Sequence, residues 1–293
     1  MKGHHKQEKD AQGNNMQEDL IVIDSDDYAA AGIETMTFPG GEPHVKLPRF
    51  EGPTLFFAKL RDWADVGFAA LVIDGVESQQ REAPFEVFVP YFPGARQDRT
   101  DGSAPFTLRV MARLVGLGSN IHVFDPHSAV LQRYTRARAW GWTDLDLLVQ
   151  EPAVGVIAPD GGAVGRADAY RRHFHPGAHL VVGSKCRDSR TGALSDYSVP
   201  PLQDSGHYVI VDDICDGGGT FNLLMESVLE DPLAADSTFE LVVSHGIFSK
   251  GLSNLHPRIE RITTTDSWCS FRYEPRLTVV KLESLFDKIM GEG

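Results

Sequence analysis

The chain has 293 residues, of which 42% are hydrophobic and 24% charged, an ordinary composition for a globular protein with one large domain or two modest ones. It contains no apolar run of the roughly 18 to 20 residues that a membrane helix requires, and its net charge of −13 disfavours nucleic acid and anionic membranes as partners. Three widely spaced cysteines, Cys186, Cys215 and Cys269, give no disulfide framework, which favours a cytoplasmic location.

Apolar runs of strand length alternate with segments of helical spacing along most of the chain. Residues 1–18 are polar, and we expect them to be a disordered extension rather than a signal peptide. Strands are predicted at 20–24, 54–60, 85–92, 120–125, 155–160, 179–185, 207–213 and 239–248, and helices at 66–82, 105–115, 164–174, 220–230 and 283–290. The pattern runs twice, which predicts an α/β fold of two domains, 19–149 and 150–293, each a mostly parallel sheet flanked by helices.

The strongest functional signal is VIVDDICDGGGT at 209–220, where an apolar strand leads through two acids into glycines and then a helix. Glycines let backbone N–H groups approach a phosphate, and a helix N-terminus adds positive potential. Asp212 and Asp213 can accept hydrogen bonds from vicinal ribose hydroxyls or hold Mg²⁺ through water, and Thr220 can bind the phosphate and cap the helix. The ribose-phosphate-binding residues predicted here are Asp212, Asp213, Asp216, Gly217, Gly218, Gly219 and Thr220.

This segment resembles the ribose-phosphate loop of the type I phosphoribosyltransferase fold. The other motifs narrow the resemblance to the ribose-phosphate diphosphokinases, which make phosphoribosyl diphosphate, and it covers about residues 20–290. The resemblance implies two phosphoribosyltransferase-like domains. It also implies Mg²⁺-dependent transfer of diphosphate from ATP to the C1 hydroxyl of ribose 5-phosphate, with AMP as the second product.

Two segments resemble the parts of this family that bind ATP. VPYFPGARQDR at 89–99 is similar to the family's ATP-binding segment, in which arginine pairs with phosphate oxygens. FPGGE at 38–42 resembles a loop that stacks on the adenine of a neighbouring subunit, which implies a homo-oligomer, either a hexamer or a dimer. The resemblance assigns to ATP the residues Phe38, Glu42, Arg96, Gln97, Asp98 and Arg99.

Three further matches bear on metal and catalysis. Asp125-Pro126-His127 resembles an Asp–x–His of the family, so His127 is assigned to catalysis and to Mg²⁺. Asp160, in a PDGG turn after a strand, is assigned to a second Mg²⁺ or a ribose hydroxyl. Lys185 and Arg187 stand where the family has Lys–x–Arg on a flexible loop that closes over ATP, and they are the predicted clamp on the transferring β-phosphoryl.

The acceptor is left open between two molecules. The family usually has a hydroxyl-bearing or other side chain where Gly217 stands, and its loss suits an acceptor whose 5′ phosphate continues into another group. ADP-ribose, used by related phage enzymes of NAD⁺ salvage, is therefore a second candidate beside ribose 5-phosphate. The sequence also leaves open a non-catalytic regulatory relative, against which Lys185 and Arg187 argue, and a base-adding phosphoribosyltransferase, which would leave the ATP-side motifs without a role.

Overall fold

The computed structural model describes residues 19–79, 82–100, 102–115, 120–147, 151–187, 194–268, 271 and 273–291, with backbone alone for 185–187 and 194–196. The predicted extension 1–18 lies outside these residues, as do residues 148–150 at the predicted domain boundary. None of the helices formed by the described residues has the length and hydropathy of a membrane span.

The N-terminal half contains a five-stranded, wholly parallel sheet in the order β1-β4-β5-β6-β7. An antiparallel hairpin, β2 with β3, stands beside it. The strands are β1 (Ile21–Asp24), β2 (Glu34–Thr37), β3 (Pro43–Lys46), β4 (Thr54–Phe57), β5 (Phe85–Val89), β6 (Asn120–Phe124) and β7 (Arg138–Trp140), and the helices are α1 (Trp63–Glu77) and α2 (Thr107–Val115). Helix α1 starts earlier than predicted because Asp62 caps it, accepting a hydrogen bond from the N–H of Asp65 at 2.9 Å.

The C-terminal half contains a six-stranded parallel sheet in the order β15-β14-β13-β12-β8-β9. The strands are β8 (Gly155–Ala158), β9 (His179–Val182), β12 (His207–Cys215), β13 (Thr238–Gly246), β14 (Ile259–Thr265) and β15 (Leu277–Val280), with an antiparallel ribbon of β10 (Ser184–Arg187) and β11 (Leu194–Ser198). The helices are α3 (Val164–Phe174), α4 (Gly219–Val228) and α5 (Phe286–Gly291). Strand order reverses between β8 and β12, and such a switch point is where open α/β sheets bind ligands.

The predicted fold class, two mostly parallel sheets flanked by helices, is confirmed. The predicted strand at 179–185 is instead two strands that meet at Gly183. A Cβ at Gly183 would lie 2.6 Å from the carbonyl oxygen of Pro159, so the backbones pass too closely there for a side chain. The hairpin and the strands β7, β11, β14 and β15 have no counterpart among the predicted elements.

One apolar cluster joins the two halves of the chain. It contains Leu55 and Phe88 from the first sheet, Val156 and Val209 from the second, and Leu285 from the C-terminal turn, all fully buried. The ring of Phe286 packs 5.3 Å from that of Phe57 in β4. An interface of this apolar kind holds two domains in one arrangement.

We expect Leu285→Ala to destabilise both domains together, by about 2–5 kcal/mol, because it opens a cavity in the shared cluster. Leu114→Ala, on the exposed side of α2, is the matched control and should change stability by less than about 0.5 kcal/mol. Urea unfolding followed by tryptophan fluorescence and by circular dichroism measures both. Loss of only one domain at lower urea, with the other unchanged, would contradict a shared core.

Candidate active site

The carboxyl ends of strands from both sheets face each other across a cavity of about 700 Å³. From the first domain come the segments after β5 and β6, and from the second come those after β8 and β12. The predicted site residues that line the cavity are Arg96, Asp98, Arg99, His127, Asp160, Asp212, Asp213, Asp216, Gly217, Gly218, Gly219 and Thr220. Most of the predicted ATP-side and ribose-side residues are therefore brought together.

The glycine-rich segment forms a tight turn between β12 and α4. Strand β12 continues through both acids to Cys215, so Asp212 and Asp213 lie within the strand rather than after it. Gly218 has a φ of +79°, and a Cβ there would lie 2.6 Å from Leu255, so this position requires glycine. The first N–H groups of α4 have no acceptor within the helix, and the first residues of α4, Gly219 to Phe221, line the cavity.

Thr220 does not cap helix α4, contrary to the prediction. The helix starts at Gly219, its N-cap is Gly218, and no side chain caps it. Thr220 is the second residue of the helix and still lines the cavity. The glycine turn reaches the helical conformation one residue earlier than the sequence suggested.

The two adjacent acids of β12 have opposite electrostatic environments. Burial and the negative charge of Asp213 raise the pKa of Asp212 to about 7. Burial alone would also raise the pKa of Asp213, but the hydrogen bond from His127 and the charge of Arg166 outweigh it and hold this pKa well below its usual range. Asp213 is thus ionised in neutral solution, whereas Asp212 exchanges its proton near pH 7.

His127 reaches from the first domain to this acid pair. Its Nδ1 lies 2.6 Å from Oδ2 of Asp213, to which it donates. The Asp213 carboxylate raises the pKa of His127, against the opposing effect of burial. The raised pKa favours the imidazolium form. The contact with Asp213 thus favours the positively charged form of His127, a residue predicted for catalysis.

Arg166 is a central residue of the site to which the sequence assigned no role. Its side chain is only 13% exposed, and its Nε lies 2.8 and 2.7 Å from the two carboxylate oxygens of Asp125 in the first domain. Its terminal nitrogens lie 3.8 Å from Asp212 and from Asp213. One signal was available, because Arg166 is in the first turn of α3, where a helix disfavours a cation unless acids compensate it.

Asp125, the partner of Arg166, is held in a left-handed conformation with φ of 39°. Its carboxylate also accepts a hydrogen bond from Ser244 Oγ, which accepts one from Nε1 of Trp142 at 2.8 Å. Such a backbone conformation persists only where the surroundings impose it. The contacts to Arg166 and Ser244 supply that constraint at the end of β6.

The segment after β5 supplies the remaining first-domain groups. Nη1 of Arg96 lies 2.8 Å from Oδ2 of Asp216, so this arginine is bound to the phosphate loop of the other domain. Asp98 is buried and accepts a hydrogen bond from Ser128 Oγ at 2.7 Å. The side chain of Arg99 is 90% exposed at the cavity edge. Gln97 is exposed and does not line the cavity.

Phe38 and Glu42 lie on the hairpin turn between β2 and β3, away from the cavity lining. Phe38 is 43% exposed and packs on the ring of His44 at 5.7 Å, and its N–H donates to the carbonyl of Glu42 at 2.9 Å. Within one chain these two residues do not join the site. A role in a neighbouring subunit's site stays a prediction.

Asp160 follows β8 and lines the same cavity as the acid pair. One carboxylate oxygen accepts from the N–H of Gly162 at 2.8 Å and of Ala163 at 3.3 Å, so the other oxygen is turned to a different side. Among the described residues no group of three or more His, Cys, Asp or Glu side chains is gathered around one point. The carboxylates present fit Mg²⁺, which takes few protein ligands and keeps water or substrate phosphate for the rest.

Lys185 and Arg187 lie in strand β10, not in a loop. Lys185 pairs with Tyr197 and Arg187 with Leu194 of β11. Residues 188–193, at the end of this ribbon, and the side chains of both cations are outside the described part of the chain. The hydroxyl of Tyr197 donates to the carbonyl of Pro159, which fastens the base of the ribbon next to Asp160.

The opposed pKa values of the acid pair predict opposite effects of substitution on stability. The pKa of Asp212 is about 7 in the folded protein and 3.8 ordinarily. Between these two pH values the unfolded chain releases this proton more readily than the folded protein does, so the free energy of unfolding falls as the pH rises. Asp212→Asn should therefore be more stable than wild type by up to about 4 kcal/mol at pH 8, and by less at pH 4.5. Asp213→Asn is the control of opposite sign and should be less stable at pH 8, because ionised Asp213 binds His127. Urea unfolding at both pH values measures this, and a stability gain of Asp212→Asn that is independent of pH would contradict the raised pKa.

No protein-family model matches the chain. Among curated proteins it is similar to the ribose-phosphate pyrophosphokinase of Mycoplasmopsis pulmonis, 26% identical over 68% of this chain, and to ribose-phosphate pyrophosphokinase 3 of Saccharomyces cerevisiae, 28% identical over 67% of this chain. Each alignment spans 64% of the relative's own length, less than two thirds.

The fold is similar to that of phosphoribosylpyrophosphate synthetase from Mycobacterium smegmatis, with a TM-score of 0.74 at 19% identity. That superposition covers 94% of this chain and 98% of the mycobacterial one. The resemblance inferred from the motifs is thus confirmed: the chain is similar in sequence to ribose-phosphate pyrophosphokinases, which are also called diphosphokinases, and it has the fold of two phosphoribosyltransferase-like domains.

Proposed function

We propose that the protein transfers the diphosphate group of ATP to the C1 hydroxyl of a ribose 5-phosphate acceptor and releases AMP. In this reaction the hydroxyl oxygen bonds to the β-phosphorus, the bond from that phosphorus to the α–β bridging oxygen breaks, and the hydroxyl proton is lost. The proposal depends mainly on one observation. A glycine-rich phosphate loop and two acids of one domain share a cavity with basic residues of the other domain.

The second domain would hold the acceptor. The N–H groups at the start of α4 and the glycines before it are suited to the 5′-phosphate. Asp213, kept ionised by His127 and Arg166, is suited to accept hydrogen bonds from ribose hydroxyls. Asp212 would join it once its proton is lost, at about pH 7.

The first domain would hold ATP and neutralise charge at the transferring group. Phosphoryl-group transfer depends mostly on positioning and on cations around the phosphoryl oxygens. Arg96 and Arg99, which line the cavity, would supply such cations, and Lys185 and Arg187 of strand β10 would add to them. Arg96 would exchange its bond with Asp216 for a phosphate.

Mg²⁺ ions, one held by His127 and a second by Asp160, each with water and substrate phosphates as further ligands, would supply further positive charge to the phosphoryl oxygens. Nδ1 of His127 cannot bind a metal while it donates to Asp213. His127 would therefore bind the metal through Nε2, after Nε2 has lost its proton. Phe38 and Glu42 would complete the adenine site of a second subunit in a homo-oligomer.

ADP-ribose is the second candidate acceptor, and Gly217 is the observation that favours it. The backbone at Gly217 does not require glycine, since its φ is outside the left-handed region, and a Cβ there would be at an ordinary 3.4 Å from Lys250. Glycine at 217 removes side-chain bulk and one possible hydroxyl donor beside the 5′-phosphate, which suits an acceptor that continues beyond this phosphate.

AMP is expected only when ATP, Mg²⁺ and a ribosyl acceptor are all present. Ribose 5-phosphate and ADP-ribose, each incubated with enzyme and Mg-ATP, are compared by mass spectrometry of the products. A mass increase of the acceptor by one diphosphate supports the proposal and identifies the acceptor. Release of ADP in place of AMP would mean transfer of a single phosphoryl group and would contradict the proposed diphosphate transfer.

Lys185→Ala should lower kcat by about 100-fold or more and change the KM for ATP far less, because a clamp on the β-phosphoryl acts mainly in the transition state. Lys288→Ala, an exposed lysine bonded to the carbonyl of Asp144, is the matched control and should keep wild-type kcat. Steady-state kinetics of AMP release give both constants. Near-normal turnover of Lys185→Ala would show that the clamp assignment is wrong.

A further inference from the structure

The loop that follows β13 packs against the phosphate loop at successive residues. The N–H of Ser249 donates to the carbonyl of Asp216 at 3.2 Å, and its hydroxyl donates to the Asp216 carboxylate. The side-chain amide of Asn254 donates to the carbonyl of Gly217 at 2.7 Å. Residues 249–254 are therefore held at fixed positions beside the loop that the proposed function gives to the 5′-phosphate.

Lys250 lies in this segment, and its side chain passes directly over Gly217. Its Cδ and Cε would each be 3.4 Å from a Cβ placed on Gly217, and its Cγ would be 3.7 Å away. The lysine stem thus occupies the side of the loop to which a residue larger than glycine would project. The ammonium is one bond beyond Cε, so it lies next to the loop.

The negative charge of a phosphate bound in the loop would require a cation that is not already paired with a carboxylate. A bound phosphate brings negative charge to a loop that already contains Asp216, and the Asp216 carboxylate engages Arg96. Arg166, the buried cation of the site, is taken by Asp125. Lys250 forms no ion pair with a carboxylate in the described part of the chain, and its positive charge helps to lower the pKa of Asp216, after the hydrogen bonds from Ser249 and Arg96. It is close enough to act on this loop and available to an anion.

We infer that Lys250 binds the phosphoryl group on the 5′ carbon of the acceptor, through a charge-assisted hydrogen bond that supplements the backbone N–H groups of the loop. The inference rests on the proposed function for the identity of the acceptor. The recognised chemistry is an anionic phosphoryl oxygen at this carbon, either terminal, as in ribose 5-phosphate, or continuing into a second phosphoryl, as in ADP-ribose.

The test is calorimetric binding of each of these two sugars to the whole protein without ATP. Lys250→Met keeps the stem and removes the charge, Lys250→Arg keeps the charge, and Lys288→Met is the control for loss of a distant lysine. We expect Lys250→Met to raise the Kd of the sugar that the wild type binds by about tenfold. Lys250→Arg and Lys288→Met should remain within about twofold of wild type, and thermal unfolding checks that all variants are folded.

Equal affinity of Lys250→Met and wild type would overturn the inference, and so would a wild type that binds neither sugar. A Lys250→Met variant whose KM rises for ATP but not for the sugar would assign the lysine to the nucleotide and overturn it as well. If the wild type binds a sugar through Lys250 but forms no AMP, the proposed function fails while the assignment of Lys250 stands.

Discussion

The buried guanidinium of Arg166 is the constraint on which the arrangement of the site depends. It lies between Asp125 of the first domain and the acid pair of the second, with almost no exposure to water. A buried cation that loses its partners costs several kcal/mol, so separating the domains would leave both Arg166 and Asp125 uncompensated. This ion pair therefore helps to hold the two sides of the cavity together, and the contact of His127 with Asp213 acts in the same direction.

The shared apolar cluster acts in the same direction as Arg166. Its side chains come from both sheets and from the C-terminal turn, and a packed interior resists small displacements. The two halves of the cavity are therefore held at one separation by ionic and apolar contacts together. A site of this kind presents its groups already oriented, which is what reactions that depend on positioning require.

Local patterns in the sequence were sufficient for the fold class and for the glycine-rich loop, and the resemblance to a known family supplied most of the remaining cavity lining. Apolar runs such as 207–213 marked buried strands because parallel strands covered on both faces are almost wholly apolar. Strand β14 and the exposed hairpin were not predicted, because their sequences contain too many polar residues to be recognised as buried strands. After its first residue, β14 reads ERITTT. Arg166 escaped because its partner, Asp125, is 41 residues away and in another domain. The start of α4 depends on the left-handed φ of Gly218, which composition does not determine.

The phosphate loop contains three glycines of unequal constraint. Gly218 is fixed by its left-handed φ and by Leu255, whereas Gly217 has an ordinary φ and Gly219 has no atom within 4 Å of an added Cβ, so the space around both admits a side chain. The shape of the loop and the chemistry displayed by it are consequently separable. Glycine at 218 preserves the turn, whereas Gly217 and Gly219 can be replaced by residues with side chains at little cost in stability. Selection, natural or in a laboratory library, can therefore act on the ligand preference of this loop without first having to rebuild it.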